Sequence, residues 1–164
     1  MIVLRRMEVL VNSNIYRLLK HIWLWPPYLG AGIHVRTFDK PLNNIVVGMK
    51  LRRRNINYVG THFGGNLYSM CDPWFMFILM NHLGPEFIVW DKSANIDFIK
   101  PGKGLVTARF SISLEQIDEI RAAAITGEKV LPTFQTEVID DETRQVVARV
   151  TKILYVRKKQ AKVD

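Results

Sequence analysis

The sequence predicts an α+β protein in which an antiparallel sheet of about five to six strands wraps around one long central helix. Three observations lead to this fold class. One segment in the middle of the chain is apolar on every helical face, and short alternating segments typical of strands precede and follow it. The chain has 164 residues, which is enough for one domain with a real core but too few for two. We therefore expect residues 1–164 to form a single domain.

The apolar segment predicts a helix from about Gly65 to Leu83, which Gly84 and Pro85 end. Its faces are covered by Leu67, Tyr68, Met70, Cys71, Trp74, Phe75, Met76, Phe77, Ile78, Leu79, Met80 and Leu83. A helix that is apolar all round must be buried on all sides, and in so short a chain only a curled sheet can bury it. This combination is the hotdog arrangement. Because such a sheet usually pairs an edge or packs a helix with a second subunit, we expect a homodimer or homotetramer.

Three elements are predicted before the central helix. Asn12 or Ser13 is placed to cap an N-terminal helix, which Pro26 and Pro27 end. The apolar face of this helix would consist of Ile15, Leu18, Leu19, Ile22 and Trp23. Two strands follow, over residues 33–38 and 45–51, with a turn between them at residues 40–43.

The chain after the central helix is predicted to form strands with one interruption. These strands cover residues 87–91 and 95–99 as one long or broken strand, then 105–111, 134–139 and 146–156. The interruption is a short helix, in which Ser113 and Gln116 are placed as a capping box and Gly127 marks the end. The last two strands form a hairpin over the polar turn DDETRQ.

Composition and charge narrow the class of protein. Cys71 is the only cysteine, which excludes an internal disulfide framework and a cysteine-based metal cage and favours a reduced, cytoplasmic setting. Residues 1–60 carry ten basic and two acidic side chains, an excess that suits an anionic partner such as nucleic acid or a phosphate-bearing ligand. Apolar runs are too short to span a bilayer, which takes about 20 residues, and charges interrupt the start before a signal-type run develops. We expect no membrane insertion, and flexible ends at residues 1–11 and 158–164.

The stretch from Asn57 to Pro73 contains the candidate site. Gly64 and Gly65 precede the central helix, where N–H groups without helical partners can hold a developing negative charge, as an oxyanion hole does. Asp72 lies two helical turns after Gly65, and an apolar setting would make it a stronger base. Pro73 removes one helical hydrogen bond, to the carbonyl of Ser69, and should bend the helix at the acid. Asn57 precedes the glycines, where its amide would orient a water molecule or the carboxylate.

A structural role for the same residues is the alternative to a hydrolytic one. A pair of glycines is usually a turn, and a buried Asp72 would serve equally well as a carboxylate bonded to N–H groups at the bend. Cys71 is better explained as a core residue than as a nucleophile. Neighbouring helical side chains point about 100° apart, so Cys71 and Asp72 would not point into the same site. His62 and His82 lie too far apart to form a metal-binding pair, so we predict no metal site.

The spacing N-x-x-G-T-x-x-G-G-x-x-x-x-x-x-D, formed by Asn57, Gly60, Thr61, Gly64, Gly65 and Asp72, resembles the signature of hotdog-fold acyl-CoA thioesterases of the phenylacetyl-CoA thioesterase type. The stretches PPYLGAGI, VWDKSANIDFIKPGKG and ARFSIS are similar to the largely uncharacterised tetrameric branch of that superfamily, so that the resemblance covers residues 26–156. Phe63 stands where this superfamily usually has a histidine, and His62 is shifted by one position.

The resemblance implies a function and a set of roles. Asp72 would act as general base or nucleophile on the thioester, Gly64 would bind the oxyanion beside Gly65, and Asn57 would position water. The base and the oxyanion glycine would come from opposite subunits. Substrate contacts would come from His62, Phe63, Arg52, Arg53 and Arg54, with the arginines facing the coenzyme A phosphates. Coenzyme A would enter as part of the substrate, and no cofactor is expected.

Three other functions compete with acyl-CoA hydrolysis. The protein would be a non-catalytic acyl-CoA-binding or sensor protein if it keeps the fold and pocket without turnover. A hotdog dehydratase or hydratase usually places a catalytic histidine beside the helix, and Phe63 counts against it. Nucleic-acid binding is suggested only by the net charge of +8, because aromatic side chains do not alternate with the basic run LRRRN. We therefore predict a thioesterase that binds no nucleic acid.

Overall fold

The computed structural model describes residues 13–160, and they form six strands and five α-helices. The helices are α1 (Ser13–His21), α2 (Pro26–Ala31), α3 (Gly64–Ser69), α4 (Trp74–Leu83) and α5 (Leu114–Ala124). The strands are β1 (Ile33–Phe38), β2 (Asn44–Lys50), β3 (Phe87–Phe98), β4 (Leu105–Ser111), β5 (Thr133–Asp140) and β6 (Val146–Lys158). A single 3-10 turn, Ile22–Leu24, joins α1 to α2.

All six strands form one antiparallel sheet in the order β1-β2-β4-β5-β6-β3. Helix α4 packs against β3 and β4, and the buried apolar side chains of helices and sheet form one continuous core. The predicted α+β class and hotdog architecture are confirmed. Strand β3 is a single long strand that pairs only with β6 among the described strands, so that one of its sides is an open edge of the sheet.

The central helix is broken into two pieces, whereas the sequence predicted one bent helix. Helix α3 ends at Ser69 and α4 begins at Trp74, because Pro73 has no N–H to continue the helical ladder. The expectation that this helix is buried on all sides is also wrong for the single chain. Met80 is 40% exposed and Met76 and Phe77 are only partly buried, although most of the other apolar side chains are fully covered.

The N-terminal region differs from the predicted single helix. Ile15, Leu19 and Ile22 are buried as expected, but Leu18 and Trp23 are 43% and 46% exposed. Trp23 leaves the predicted face because the chain leaves the α-helical path at Ile22. Pro26 and Pro27 do not merely end a helix. They open α2 as its first two residues, where a missing N–H costs nothing because the first turn has no helical acceptor for it.

Other local predictions hold. The capping box of α5 is formed, since the Gln116 N–H donates to Ser113 Oγ at 3.2 Å and the Ser113 N–H donates to Gln116 Oε1 at 3.1 Å. The cap predicted at Asn12 lies outside the described residues, as do most of the predicted flexible ends. Strand β6 continues through Lys158, and the Lys159 N–H donates to the Glu86 carbonyl at 2.8 Å. The flexibility of residues 158–164 stays a prediction.

Candidate functional site

Asp72 lies in the break between α3 and α4, where the backbone carbonyls lack their usual helical donors. The carbonyl of Ser69, which Pro73 leaves without its helical partner, accepts a 3.0 Å hydrogen bond from the Tyr28 hydroxyl. The carbonyl of Met70 accepts a 2.6 Å bond from the indole N–H of Trp74. Two buried aromatic side chains therefore stabilise the break and hold the backbone around Asp72 in place.

The carboxylate of Asp72 is anchored through one oxygen. Its Oδ1 accepts a hydrogen bond from the Tyr68 hydroxyl at 3.0 Å and another from the Lys152 ammonium group, also at 3.0 Å. No donor among residues 13–160 bonds to its Oδ2, and the side chain is 46% exposed. The expected apolar setting is therefore wrong. Asp72 is a half-exposed, ion-paired carboxylate with one oxygen held and one available.

Lys152 and Asp91 are members of this cluster that sequence reasoning did not find. The Lys152 side chain is fully buried, and its Nζ lies 3.0 Å from Oδ1 of Asp72, 3.0 Å from Oδ2 of Asp91 and 3.4 Å from the Tyr68 hydroxyl. The contacts to Asp72 and Tyr68 are hydrogen bonds, and the contact to Asp91 is an ion pair. A signal was present in β6, where Lys152 falls in phase with the inward-facing Val150 and Leu154.

A β-bulge brings Asp91 into the cluster. In the pairing of β3 with β6 the register shifts between Asp91 and Ser93, so that both Asp91 and Ala94 face positions of β6 that point into the core, Leu154 and Lys152. Without the extra residue, strand alternation would put Asp91 and Ala94 on opposite faces. The bulge therefore lets a carboxylate and a small residue share the inner face beside Lys152.

The charges of the cluster shift the pKa values of its members. Burial alone would lower the pKa of Lys152, but Asp72 and Asp91 outweigh this effect and hold it above its usual value. Burial raises the pKa of the Asp91 carboxyl; Lys152 opposes this shift, and the neighbouring charge of Asp72 adds to it. The Oδ1 atom of Asp91 is buried without a hydrogen-bond partner among the described residues. Two carboxylates thus compete for one buried cation.

Aromatic rings pack closely against both glycines. A Cβ atom on Gly64 would lie 2.9 Å from the Phe98 ring, and one on Gly65 would lie 2.5 Å from the Phe63 ring. Both distances are shorter than real Cβ contacts. No acceptor among the described residues hydrogen-bonds to the N–H of Gly64 or Gly65. The N–H groups of Gly64 and Gly65 therefore have no acceptor among the described residues, and the rings of Phe98 and Phe63 pack against the backbone at these two glycines.

A cleft of about 330 Å³ opens beside Gly64. Its lining residues are Asn57, Thr61, His62, Gly64, Leu67, Phe98, Ile99, Lys100, Pro101 and Gly102. The cleft brings together three of the predicted site residues, Asn57, His62 and Gly64. Asp72 does not line the cleft within the single chain, and neither does Phe63, which is 54% exposed and packs at Gly65.

Asn57 braces the loop that leads into the cleft. Its amide Nδ2 donates to Thr61 Oγ1 at 2.9 Å and to the His62 carbonyl at 3.3 Å. Its Oδ1 accepts from the N–H groups of Val59 and Thr61 at 3.1 and 2.9 Å. All of these hydrogen bonds lie within the loop that contains Asn57, and the role of this side chain in orienting water stays a prediction.

His62 is a buried histidine with one free ring nitrogen at the cleft. Its Nε2 lies 2.9 Å from the carbonyl oxygen of Gly104, which can only accept, so Nε2 carries the proton. Burial lowers the pKa of His62, although Gly104 and Asp140 act in the opposite direction, and the net shift favours the neutral ring. Nδ1 has no partner among the described residues and is an acceptor at the cleft wall.

The predicted arginines lie elsewhere. Arg52 and Arg54 line a second, smaller groove of about 200 Å³ together with Trp23, and Arg53 is exposed beside them. The cation that lines the Gly64 cleft is Lys100, which sequence reasoning did not single out. The assignment of the arginines to coenzyme A phosphates stays a prediction.

Other features of the site region limit its chemistry. Cys71 is fully buried, and burial raises the pKa of its thiol, which fits the predicted core role. Within residues 13–160 no three His, Cys, Asp or Glu side chains are grouped as metal ligands, and the absence of a metal site stays a prediction. Over the same residues no helix has the length and apolar character needed to cross a membrane.

Comparison with known proteins supports the architecture. Three solved structures have related folds: a protein from Pseudomonas aeruginosa described as a probable thioesterase, the thioesterase HI1161 from Haemophilus influenzae, and the Escherichia coli PaaI protein from a phenylacetic acid degradation operon. Their TM-scores are 0.78, 0.65 and 0.57, and their sequence identities 16%, 17% and 14%. The matches cover 88%, 89% and 92% of this chain and 96%, 92% and 96% of the respective neighbours.

At these identities the likeness establishes the fold and leaves the activity to be tested. No curated protein matches this chain. The family described as "Domain of unknown function (DUF4442)" matches residues 17–156, which is most of the chain. The protein therefore belongs to this family and has the hotdog fold.

Proposed function

We propose that the protein hydrolyses an acyl-CoA thioester to a free acid and coenzyme A. In the general-base form of this reaction, the Asp72 carboxylate takes a proton from water as the water oxygen bonds to the thioester carbon. The carbonyl oxygen then carries negative charge, which the N–H of Gly64 would stabilise. The carbon–sulfur bond breaks, and the thiolate leaves and takes up a proton. In the alternative form, Asp72 itself bonds to the carbon, the carbon–sulfur bond breaks with release of the thiolate, and water then hydrolyses the resulting anhydride to the free acid and the Asp72 carboxylate.

The observation that supports this proposal most is the difference in hydrogen bonding between the two carboxylate oxygens of Asp72. A base must be within reach of its substrate and held in one place. Oδ1 of Asp72 is held by Tyr68 and Lys152, whereas Oδ2 is without a donor among the described residues on a half-exposed side chain. The Gly64 cleft adds the N–H of Gly64, which has no acceptor among the described residues, and apolar walls for an acyl chain.

A second subunit would complete the site, and we propose a homodimer or homotetramer. Asp72 does not line the Gly64 cleft of its own chain, which fits the implication that base and oxyanion donor come from different subunits. The open edge of β3 carries two exposed aromatic side chains, Trp90 and Phe98, and Phe98 also lines the cleft. A contact at this edge would bring a partner close to both parts of the site.

The non-catalytic acyl-CoA-binding function remains the second candidate, and one observation favours it. The ion pair between Asp72 and Lys152 is what a purely structural carboxylate in a helix break would make. A binding protein of this kind would use the cleft and hold the thioester intact. Turnover separates the two functions.

The experiment is free thiol release from short-chain, long-chain and aryl acyl-CoA substrates. The unaltered protein is compared with Asp72→Asn, which keeps the shape of the side chain but cannot act as a base. We expect the variant to lose about 10²-fold or more in kcat, as when an acid–base group is removed. Asp118→Asn is the matched control, because Asp118 is an exposed carboxylate on α5 in an ion pair with Arg121. It should retain full activity.

Each outcome selects a function. Thiol release that depends on Asp72 supports the thioesterase, and the preferred substrate reports the length of acyl chain that the site accepts. Binding of these thioesters without thiol release, measured by calorimetry, would overturn the thioesterase in favour of the acyl-CoA-binding protein. Neither binding nor release would remove acyl-CoA as the ligand class.

A further inference from the structure

The buried lysine beneath Asp72 is a feature that the proposed reaction does not itself require. A fully buried ammonium group is costly unless it is paired and hydrogen-bonded. Lys152 meets this condition through Asp72, Asp91 and Tyr68. If the cluster served stability alone, an apolar residue in phase with Val150 and Leu154 would fill the position at least as well. The lysine is therefore explained better by its effect on Asp72.

We propose that Lys152 is a positioning residue for Asp72: its ammonium group pairs with one carboxylate oxygen and fixes the side chain in the helix break, and Asp91 moderates this effect by sharing the same cation. This inference rests on the proposed function, since it concerns the group that would act as the base. Three observations carry it. The cation is fully buried, it contacts only one oxygen of Asp72, and its second carboxylate partner is placed by a β-bulge.

The titratable groups that face Lys152 and Asp72 come from four parts of the chain. They are Tyr28 on α2, Tyr68 on α3, Cys71 in the break and Asp91 on β3. Burial raises the pKa values of both tyrosines and of the cysteine, which favours the uncharged form of all three groups. The electrostatics of the cluster therefore reduce to one cation and two carboxylates.

This arrangement predicts that substitutions of Lys152 and of Asp91 shift the pH profile of kcat/KM in opposite directions. In Lys152→Met, two carboxylates lie close together without their cation, and ionising Asp72 becomes harder. The acid limb of the pH profile of kcat/KM should move up by about one to three pH units. In Asp91→Asn, Lys152 serves a single carboxylate, and the limb should move to lower pH by several tenths of a unit or more. The double variant should fall between them, and Lys152→Arg, which keeps the charge, should lie closer to the unaltered protein than Lys152→Met.

A purely structural lysine would give a different result. Its removal would lower the melting temperature while leaving the acid limb where it was. The proposal would be overturned if the acid limb lay at the same pH in the unaltered protein, Lys152→Met and Asp91→Asn. Circular dichroism establishes that each of these proteins is folded. If Lys152→Met does not fold, the downward shift in Asp91→Asn decides alone, because this near-isosteric change leaves the lysine in place.

A readout without turnover separates this proposal from the proposed function. In protein labelled with ¹³C-aspartate, the carboxyl signals of Asp72 and Asp91 are assigned by their loss in the two Asn variants and titrated with pH. The Asp72 midpoint should rise in Lys152→Met and fall in Asp91→Asn. An absence of thiol release from any acyl-CoA refutes the thioesterase, whereas unchanged midpoints refute the role of Lys152 even in an active enzyme.

Discussion

The hydroxyl group of Tyr28 donates a 3.0 Å hydrogen bond to the carbonyl oxygen of Ser69, the acceptor that Pro73 leaves without its helical partner. Tyr28 belongs to the short helix α2, which the prolines at its start help to form. Its fully buried ring therefore connects the N-terminal region to the helix break that carries Asp72. The proline in the central helix is thus compensated by a side chain from a distant part of the sequence.

The first prediction concerns the stability of this connection. Tyr28→Phe removes the donor but keeps the ring, and leaves the Ser69 carbonyl with only the longer, 3.3 Å bond from the Asp72 N–H. We expect the free energy of unfolding to fall by about 1–2 kcal/mol, measured by urea denaturation. Tyr16→Phe is the matched control, because the Tyr16 hydroxyl is buried without a partner among the described residues. A loss as large in the control as in Tyr28→Phe would contradict this account.

The second prediction concerns Gly64 and Phe98. In Gly64→Ala the backbone N–H remains, but the new methyl group would lie 2.9 Å from the Phe98 ring. Because Phe98 is 59% exposed, its ring should move at little cost in stability, and it should move within the cleft that it lines. We expect a folded protein with a several-fold lower kcat/KM toward acyl-CoA.

A second substitution checks this cause. Phe98→Ala in the Gly64→Ala background removes the clash, and should recover part of the lost kcat/KM relative to Gly64→Ala alone. No recovery would assign the loss to the backbone of Gly64 itself rather than to the displaced ring. The comparison uses melting temperature to establish that all three proteins are folded.

The third prediction identifies the cation that faces coenzyme A. Lys100 lines the Gly64 cleft, whereas Arg52 and Arg54 line a separate groove. We expect Lys100→Gln to raise KM several-fold with kcat unchanged, because a phosphate contact is made equally in the ground and transition states. The Arg52→Gln, Arg54→Gln double variant serves as the comparison. If the double variant raises KM and Lys100→Gln does not, the phosphates of coenzyme A lie in the second groove. The sequence-based assignment of the arginines is then correct.

The fourth prediction is a pH dependence of stability at the β5–β6 hairpin. Asp140 Oδ1 accepts hydrogen bonds from the N–H groups of Thr143 and Glu142 at 3.0 and 3.1 Å. The bond from Thr143 is the largest cause of a lowered pKa for Asp140, with the bond from Glu142 acting the same way and burial opposing both. A carboxyl group whose pKa is lower when folded adds stability above its unfolded-state pKa of 3.8 and loses it as pH falls through the folded-state value.

The matching variant is Asp140→Asn, which can accept the same bonds but has no charge. We expect it to be less stable than the unaltered protein at pH 7, by about 1 kcal/mol or less. The difference should shrink as pH falls below 3.8. Thermal unfolding at a series of pH values measures it, and a difference that is constant with pH would exclude the charge of Asp140 as its cause.

The sequence by itself determined the fold class and most of its elements. The apolar central segment, the alternating strands and the capping box of α5 depend on contacts between near neighbours or on one buried face, and periodicity reports both. The spacing of Gly64, Gly65 and Asp72 likewise identified the segment that carries the candidate site. The surroundings of Asp72 were not predictable in this way, and its expected apolar setting was wrong.

Only the tertiary structure decided what surrounds Asp72. Lys152 is 80 residues away along the chain, and Asp91 reaches the same point because a bulge changes the alternation of β3. A single lysine in phase with apolar residues of β6 indicates an inward-facing cation, but not which acid it meets. Pairing between distant strands sets that partner, and a shift of one residue in register would turn the side chain to the other face of the sheet.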